Sequence, residues 1–175
     1  SSDLKKFILL LPCTIFPYSL FMGLYYFIRG MGNLGESFSF LPWMFIISLI
    51  CNVIFLVLSI YKKWDCKKVA LFNMVTKIVQ IPAYIAVFLL GALSFSTLFT
   101  MGLAVVFFLF DCASIFLTGL IGVTSVIRCY TDRIISKRFS IINGLLQFVF
   151  CADVISSIII FVQVKYKHKS GSHNI

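Results

Sequence analysis

The sequence predicts an all-α integral membrane protein, a polytopic bundle of transmembrane helices. Of its 175 residues, 61% are hydrophobic and only 12% are charged. Soluble domains have about 45–50% apolar and about 25% charged residues, so this chain has too few charges for a water-facing surface. Its apolar runs are unbroken rather than alternating, which favours helices over the strands of a membrane barrel. Soluble enzymes and disordered tails are thus largely excluded, and residues 1–175 are predicted to form a single membrane domain.

Stretches almost free of charge define the candidate spans, because a helix needs about 20 apolar residues to cross about 30 Å of hydrocarbon. The longest stretch, residues 69–127, would extend about 89 Å as one helix at about 1.5 Å per residue, so it must fold back. Ser94-Phe95-Ser96-Thr97 is the predicted hairpin, because serine and threonine favour turns over helix interiors. Five predicted spans follow, near residues 7–28, 39–61, 69–93, 98–127 and 139–164, and residues 165–175 form a basic polar tail.

The distribution of Lys and Arg predicts a cytoplasmic N-terminus, since these residues collect on the inner side of the membrane. With five spans, ten loop and terminal cations then lie inside and four outside. If residues 139–164 instead enter and leave through one face, the tail also lies inside and the distribution becomes thirteen to one. Residues 145–164 contain no Gly or Pro to break a helix, so the sequence favours the fifth span with the tail outside.

The formal net charge of +9 is explained by loops at a membrane surface. Basic loops beside a bilayer attract anionic lipids, and the segment 62–68, with four lysines around Trp64, is a loop of this kind. No folded basic domain accompanies the charge, so the predicted partner is the lipid bilayer and not a nucleic acid.

Motifs for metal or catalytic chemistry are missing from the sequence. The six cysteines have no metal-ligand spacing, and both histidines lie in the polar tail. The glycine-rich segment 30–35 follows a span rather than a soluble strand, so we interpret it as a turn and not as a nucleotide loop. The sequence therefore predicts no metal, no cofactor and no enzymatic activity.

Three ionisable residues inside the predicted spans are the informative feature. A charge at the bilayer centre costs about 2.5–3.5 kcal/mol on insertion scales, so such residues usually face the bundle interior or water and pair with one another. Each lies on a polar stripe with helical spacing. The stripes contain Asn73, Lys77, Gln80 and Tyr84 on the third span, Asp111, Ser114 and Thr118 on the fourth, and Asp153 on the fifth. The two carboxylates are predicted at similar depth, and the sequence leaves open which of them Lys77 contacts.

Pro82 predicts a helix kink one turn beyond Lys77, because it cannot donate to the carbonyl of Ile78 and its ring clashes there. Freed backbone groups at membrane depth need a partner helix, a polar side chain or water. A kink at this point would open a polar cavity in the cytoplasmic half of the bundle.

Three stretches together resemble a family of small multispan membrane proteins of Gram-positive bacteria that have no assigned function. They are Asn73–Gly91 (NMVTKIVQIPAYIAVFLLG), Phe110–Tyr130 (FDCASIFLTGLIGVTSVIRCY) and Leu146–Ser156 (LQFVFCADVIS). The resemblance implies a multi-pass protein of the bacterial cytoplasmic membrane. It assigns no catalytic or binding residue.

The buried polar groups support two interpretations. They form a ligand or proton site, or they form a structural lock that holds the helices in register at about 0.6 kcal/mol per hydrogen bond. The leading functional hypothesis is binding or translocation of a small solute or ion through the interior polar site, with proton coupling. The alternative is a non-transporting accessory, immunity-like or sensor subunit that acts on a protein partner, since no inverted repeat of the transporter kind is apparent.

Overall fold

The computed structural model describes residues 2–31, 33–95, 101–149 and 151–171, and these residues form seven helices and no strand. The predicted all-α helical bundle is confirmed. The helices are α1 (Ser2–Ile28), α2 (Leu34–Phe38), α3 (Leu41–Tyr61), α4 (Cys66–Ser94), α5 (Met101–Thr131), α6 (Lys137–Leu146) and α7 (Ala152–Gly171). Four segments are long and apolar enough to cross a membrane: Leu4–Ile28, Gly35–Tyr61, Cys66–Ser94 and Gly102–Thr131.

These four candidate spans agree with the first four predicted from the sequence. Of the predicted hairpin after the third span, Ser94 ends α4 and the Phe95 N–H bonds the carbonyl of Ala92, while residues 96 and 97 lie outside the described part of the chain. Pro82 lies inside α4, which continues through it as one helix. The kink at Pro82 stays a prediction.

Many large apolar side chains are exposed and several polar side chains are fully buried, which is unusual for a soluble protein. Large apolar side chains on the helices are exposed, among them Phe108 at 67% and Ile85 at 55%. Polar side chains such as Asn73, Gln80 and Ser125 are fully buried. This arrangement is stable when the surrounding solvent is hydrocarbon, because polar groups can then form hydrogen bonds only inside the protein.

Three long helices end in the same local structure. Just beyond the last turn of α1, α3 and α5, one residue has a left-handed backbone, and these residues are Gly30, Lys63 and Arg133. In each case the N–H of the next residue bonds a carbonyl five positions earlier, as from Met31 to Tyr26 at 3.1 Å. This cap satisfies carbonyls that the end of a helix leaves without donors.

The chain divides into two compact units, with residues 1–51 and 80–114 in unit 1 and residues 52–79 and 115–175 in unit 2. In unit 1, the Phe16 ring stacks on Phe110 with centroids 4.9 Å apart and meets Phe45 edge-on at 5.9 Å. In unit 2, apolar side chains from α4, α5 and α7 and from the loop before α6 form one buried cluster. Its members are Cys66, Ala70, Val126, Cys129, Ile135, Ile160 and Val164.

In unit 2, Arg128 connects the α3–α4 loop to the end of α5 by hydrogen bonds. Its guanidinium donates to the main-chain carbonyl of Trp64 at 2.9 Å and to both carboxylate oxygens of Asp132 at 2.9 and 3.0 Å. The Trp64 ring in turn packs edge-on against Phe55. This basic side chain is therefore 97% buried, although it lies near the end of a candidate span.

The prediction of one continuous helix over residues 139–164 is wrong. This stretch breaks between α6 and α7, and Cys151 just before α7 has a left-handed backbone with φ +65°. The chain also reverses there, because the Ser156 hydroxyl donates to the side-chain oxygen of Asn143 at 2.8 Å. In a continuous helix, residues 13 positions apart would be separated by about 20 Å. The segment is a helical hairpin.

The hairpin also corrects the expected position of the C-terminal tail. Ser136 and Phe139, at the start of α6, line a cavity together with Gln163 and Tyr166, at the end of α7. Lys165, beside Tyr166 at the end of α7, therefore lies at the same end of the hairpin as Lys137. This is the arrangement that gives the thirteen-to-one charge distribution, and it contradicts a tail on the opposite side from Lys137.

Candidate functional site

The helical hairpin in unit 2 encloses a buried polar network. The Gln147 side chain, just after α6, donates to the Ser156 hydroxyl at 3.0 Å, and Ser156 donates to Asn143. The Asn143 amide donates to the carbonyl of Phe139 one turn earlier at 3.0 Å. These contacts fix the direction of each amide, so the oxygen of Gln147 is left to accept a further donor.

That donor is Lys77, which lies on α4 and is fully buried. Its ammonium donates to Oε1 of Gln147 at 2.6 Å and to Oδ2 of Asp153 at 3.1 Å. The ion pair has side-chain exposures of 0% and 3%. Of the two carboxylates that the sequence offered, Lys77 is thus paired with Asp153, on α7. One cation bridges the two sides of the helix break.

Local contacts also supply hydrogen bonds to the Asp153 carboxylate. The residue lies in the first turn of α7, where the helix dipole stabilises an anion. Its Oδ1 accepts the backbone N–H of Val154 at 2.7 Å, while Oδ2 accepts from Lys77. Both carboxylate oxygens therefore have donors, as a buried charge requires.

Two glycines of α5 provide the space for the break. A Cβ added at Gly119 would lie 2.6 Å from Cε1 of Phe148, and one added at Gly122 would overlap the side chain of Gln147. Larger residues on this face of α5 would displace the segment that joins α6 to α7. These two glycines therefore allow α5 to pack closely against the hairpin.

Further polar groups of α4 in unit 2 lack partners among the described residues. Asn73 is one helical turn before Lys77 and fully buried, and both its amide nitrogen and its amide oxygen are without a hydrogen bond. The buried Thr76 hydroxyl also lacks a hydrogen bond to the described residues. Thr118 of α5 is also buried, and its hydroxyl bonds within its own helix to Ile115 at 3.2 Å. The α4 side of the network thus carries hydrogen-bonding capacity that the described part of the protein does not use.

The other predicted site residues belong to unit 1. Gln80 donates to the carbonyl of Cys13 at 2.7 Å, and Tyr84 donates to Gln80 at 3.1 Å. The Ser114 hydroxyl bonds the carbonyl of Phe110 in its own helix at 3.0 Å. Asp111 is partly buried, and its Oδ1 lacks a hydrogen bond within the described ranges.

Sequence reasoning found Lys77 and Asp153 but missed Gln147 and Asn143. The two amides are four residues apart, so they share one helix face within an otherwise apolar run. Asp153 follows Gln147 by six residues. The amide pair and Asp153 together indicate that residues 139–164 have more than one polar face. A single straight helix would direct Gln147 and Asp153 to different faces.

No protein-family model, curated protein or solved structure matches the chain. The buried network combines an ammonium, a carboxylate and two amides, and its two charged members can each exchange a proton.

Proposed function

We propose that the protein binds a small solute or ion at the Lys77–Asp153 pair and moves protons across the membrane through this site. The observation that carries this proposal is the ion pair at a helix break, within a bundle whose outer surface is apolar. Irregular backbone at membrane depth is tolerated where it is buried in protein or lines a cavity, and broken helices form the ion and substrate sites of many transporters.

The chemistry follows from the contacts of the two charged groups. A proton that reaches Asp153 converts its carboxylate to a neutral acid and removes the partner charge of Lys77. The ammonium keeps its hydrogen bond to Gln147, and its positive charge attracts an anionic group of a solute. The unused amide and hydroxyl of Asn73 and Thr76, on the same face of α4, supply further hydrogen bonds to such a solute.

Proton flux into vesicles tests this proposal. The purified protein is reconstituted into liposomes that contain a pH-sensitive dye, and a potassium diffusion potential is imposed. We expect flux above that of protein-free vesicles, and we expect Asp153→Asn to abolish it. Asp132→Asn is the matched control, since Asp132 also pairs with a basic side chain but lies outside the network. Wild-type flux equal to that of empty vesicles, or full flux in Asp153→Asn, overturns the proposal.

A double variant separates the proton site from a structural lock. Removing one member of a buried pair destabilises a protein by about 3–5 kcal/mol, whereas replacing both members with apolar residues is often neutral. Lys77→Met/Asp153→Leu is therefore expected to fold and to conduct no protons. If this folded double variant conducts as the wild type does, the pair is a lock and the site lies elsewhere.

The proposal also includes the cellular location. The excess of Lys and Arg in one set of loops and termini supports a cytoplasmic N-terminus. The resemblance of three stretches to small membrane proteins of Gram-positive bacteria supports the bacterial cytoplasmic membrane. If a stoichiometric protein partner co-purifies from native membranes and the reconstituted protein conducts no protons, the accessory-subunit alternative replaces this one.

A further inference from the structure

We propose that the groove between α5 and α6 in unit 2 binds one anionic phospholipid. The groove is a cavity of about 460 Å³ on the outer surface of the bundle. It does not include Lys77, Asp153 or Gln147, so the proposal is independent of the proton site.

The walls of the groove match an acyl chain. They include Val123 and Ile127 from α5 and Leu145 and Phe148 from the hairpin. Leu145 is 68% exposed and Phe148 is 40% exposed, so apolar surface is available to a ligand along the groove. Hydrocarbon is the matching ligand, because within the bilayer such walls offer van der Waals packing against an acyl chain.

One end of the groove matches an anionic headgroup. Lys137 is the first residue of α6 and is exposed, and Ser140 lies one turn further along. Tyr130, in the last turn of α5, adds a phenolic hydroxyl to the same lining. The N-terminus of α6 also carries a partial positive charge, which attracts phosphate. A net negative headgroup is favoured over a zwitterionic one, since the groove lining adds a lysine and no carboxylate.

Gly144 provides the depth of the groove. It lies in the lining, and a Cβ added there would meet no atom within 4 Å. A side chain introduced at this position therefore begins in open space, and we expect a large one to occupy the groove. This gives a variant that blocks the lipid and keeps the fold.

Native mass spectrometry and thermal unfolding in detergent test the proposal, with phosphatidylglycerol as the probe and phosphatidylcholine as the zwitterionic comparison. For the wild type we expect one tightly retained phosphatidylglycerol and a rise in Tm that phosphatidylcholine does not give. Gly144→Phe should lose the retained lipid and the rise. Lys137→Gln should weaken binding about fivefold, the factor expected for one basic residue near an anionic headgroup.

Two matched variants control for general effects of size and charge. Gly102→Phe introduces the same side chain at an open position of α5 outside the groove, and Lys62→Gln removes an exposed charge in the α3–α4 loop. Both should retain the lipid as the wild type does. Equal effects of the two lipids, or full lipid retention in Gly144→Phe, would refute the site. A Tm rise with inorganic phosphate alone would identify an ion site and also refute the phospholipid.

Discussion

The side-chain amide of Gln80 donates to the main-chain carbonyl of Cys13 at 2.7 Å. In an α-helix that carbonyl accepts from the residue four positions later, which here is Pro17 and has no N–H. Gln80 therefore supplies the donor that the proline of α1 lacks. Tyr84 donates to the oxygen of the same amide and fixes its orientation.

Removing this amide should destabilise the protein, and restoring the helical N–H should reduce the effect. We expect Gln80→Leu to lower the free energy of unfolding by about 1 kcal/mol, the contribution of a typical buried hydrogen bond. In a Pro17→Ala background the loss should be smaller, because the introduced alanine has a backbone N–H that can donate to the Cys13 carbonyl. Equilibrium unfolding in mixed micelles measures both values. The exposed residue Gln163 gives the control variant Gln163→Leu, and equal losses with and without Pro17 would contradict the explanation.

A methyl group at Gly122 should disturb the hairpin, whereas one at Gly144 should not. The Cβ of Gly122→Ala would overlap the Gln147 side chain, and overpacking of this kind typically costs about 1–3 kcal/mol. Gly144→Ala adds its methyl in open space and removes a glycine from a helix, so it should be neutral or stabilising by up to about 1 kcal/mol. Thermal unfolding of the two variants in one detergent compares them. Equal midpoints would show that Gln147 does not pack against α5 as described.

The tail and the start of α6 should be accessible from one side of the membrane. In a cysteine-free background, Arg138→Cys and Lys165→Cys should react with a membrane-impermeant maleimide in inside-out vesicles and stay protected in right-side-out vesicles. Arg29→Cys, in the turn after α1, should give the opposite result if the N-terminus is cytoplasmic. Opposite sidedness of positions 138 and 165 would restore the fifth span.

Much of the fold could be predicted from the sequence, because whether a segment crosses a bilayer depends on its charge and on the length of its apolar run. Charge-free runs around Leu20 and Phe55 were sufficient to predict α1 and α3 close to their observed bounds, and the run around Leu117, which contains Asp111, predicted α5 once a hairpin divided residues 69–127. The interior position of Lys77 and Asp153 was also predictable, since lipid excludes both charges.

The hairpin between α6 and α7 was not predictable in the same way. The rule applied to residues 145–164 was that a helix needs Gly or Pro to break, and here Cys151 takes the left-handed backbone instead. The break is stabilised by contacts distant in sequence, 70 and 76 residues from Lys77 to Gln147 and Asp153. Gly119 and Gly122 on α5 leave space for the segment between α6 and α7. Their role depends on contact with Phe148 and Gln147, which the sequence alone does not reveal.

The distance between positions 138 and 165 tests most directly whether α6 and α7 form a helical hairpin rather than one continuous helix. Spin labels at Arg138→Cys and Lys165→Cys, measured by pulsed electron paramagnetic resonance in lipid nanodiscs, report this distance. The hairpin predicts helices packed side by side, with axes about 8–10 Å apart and the two labels near each other. A continuous helix between these two positions would place them about 40 Å apart, and that result would contradict the account.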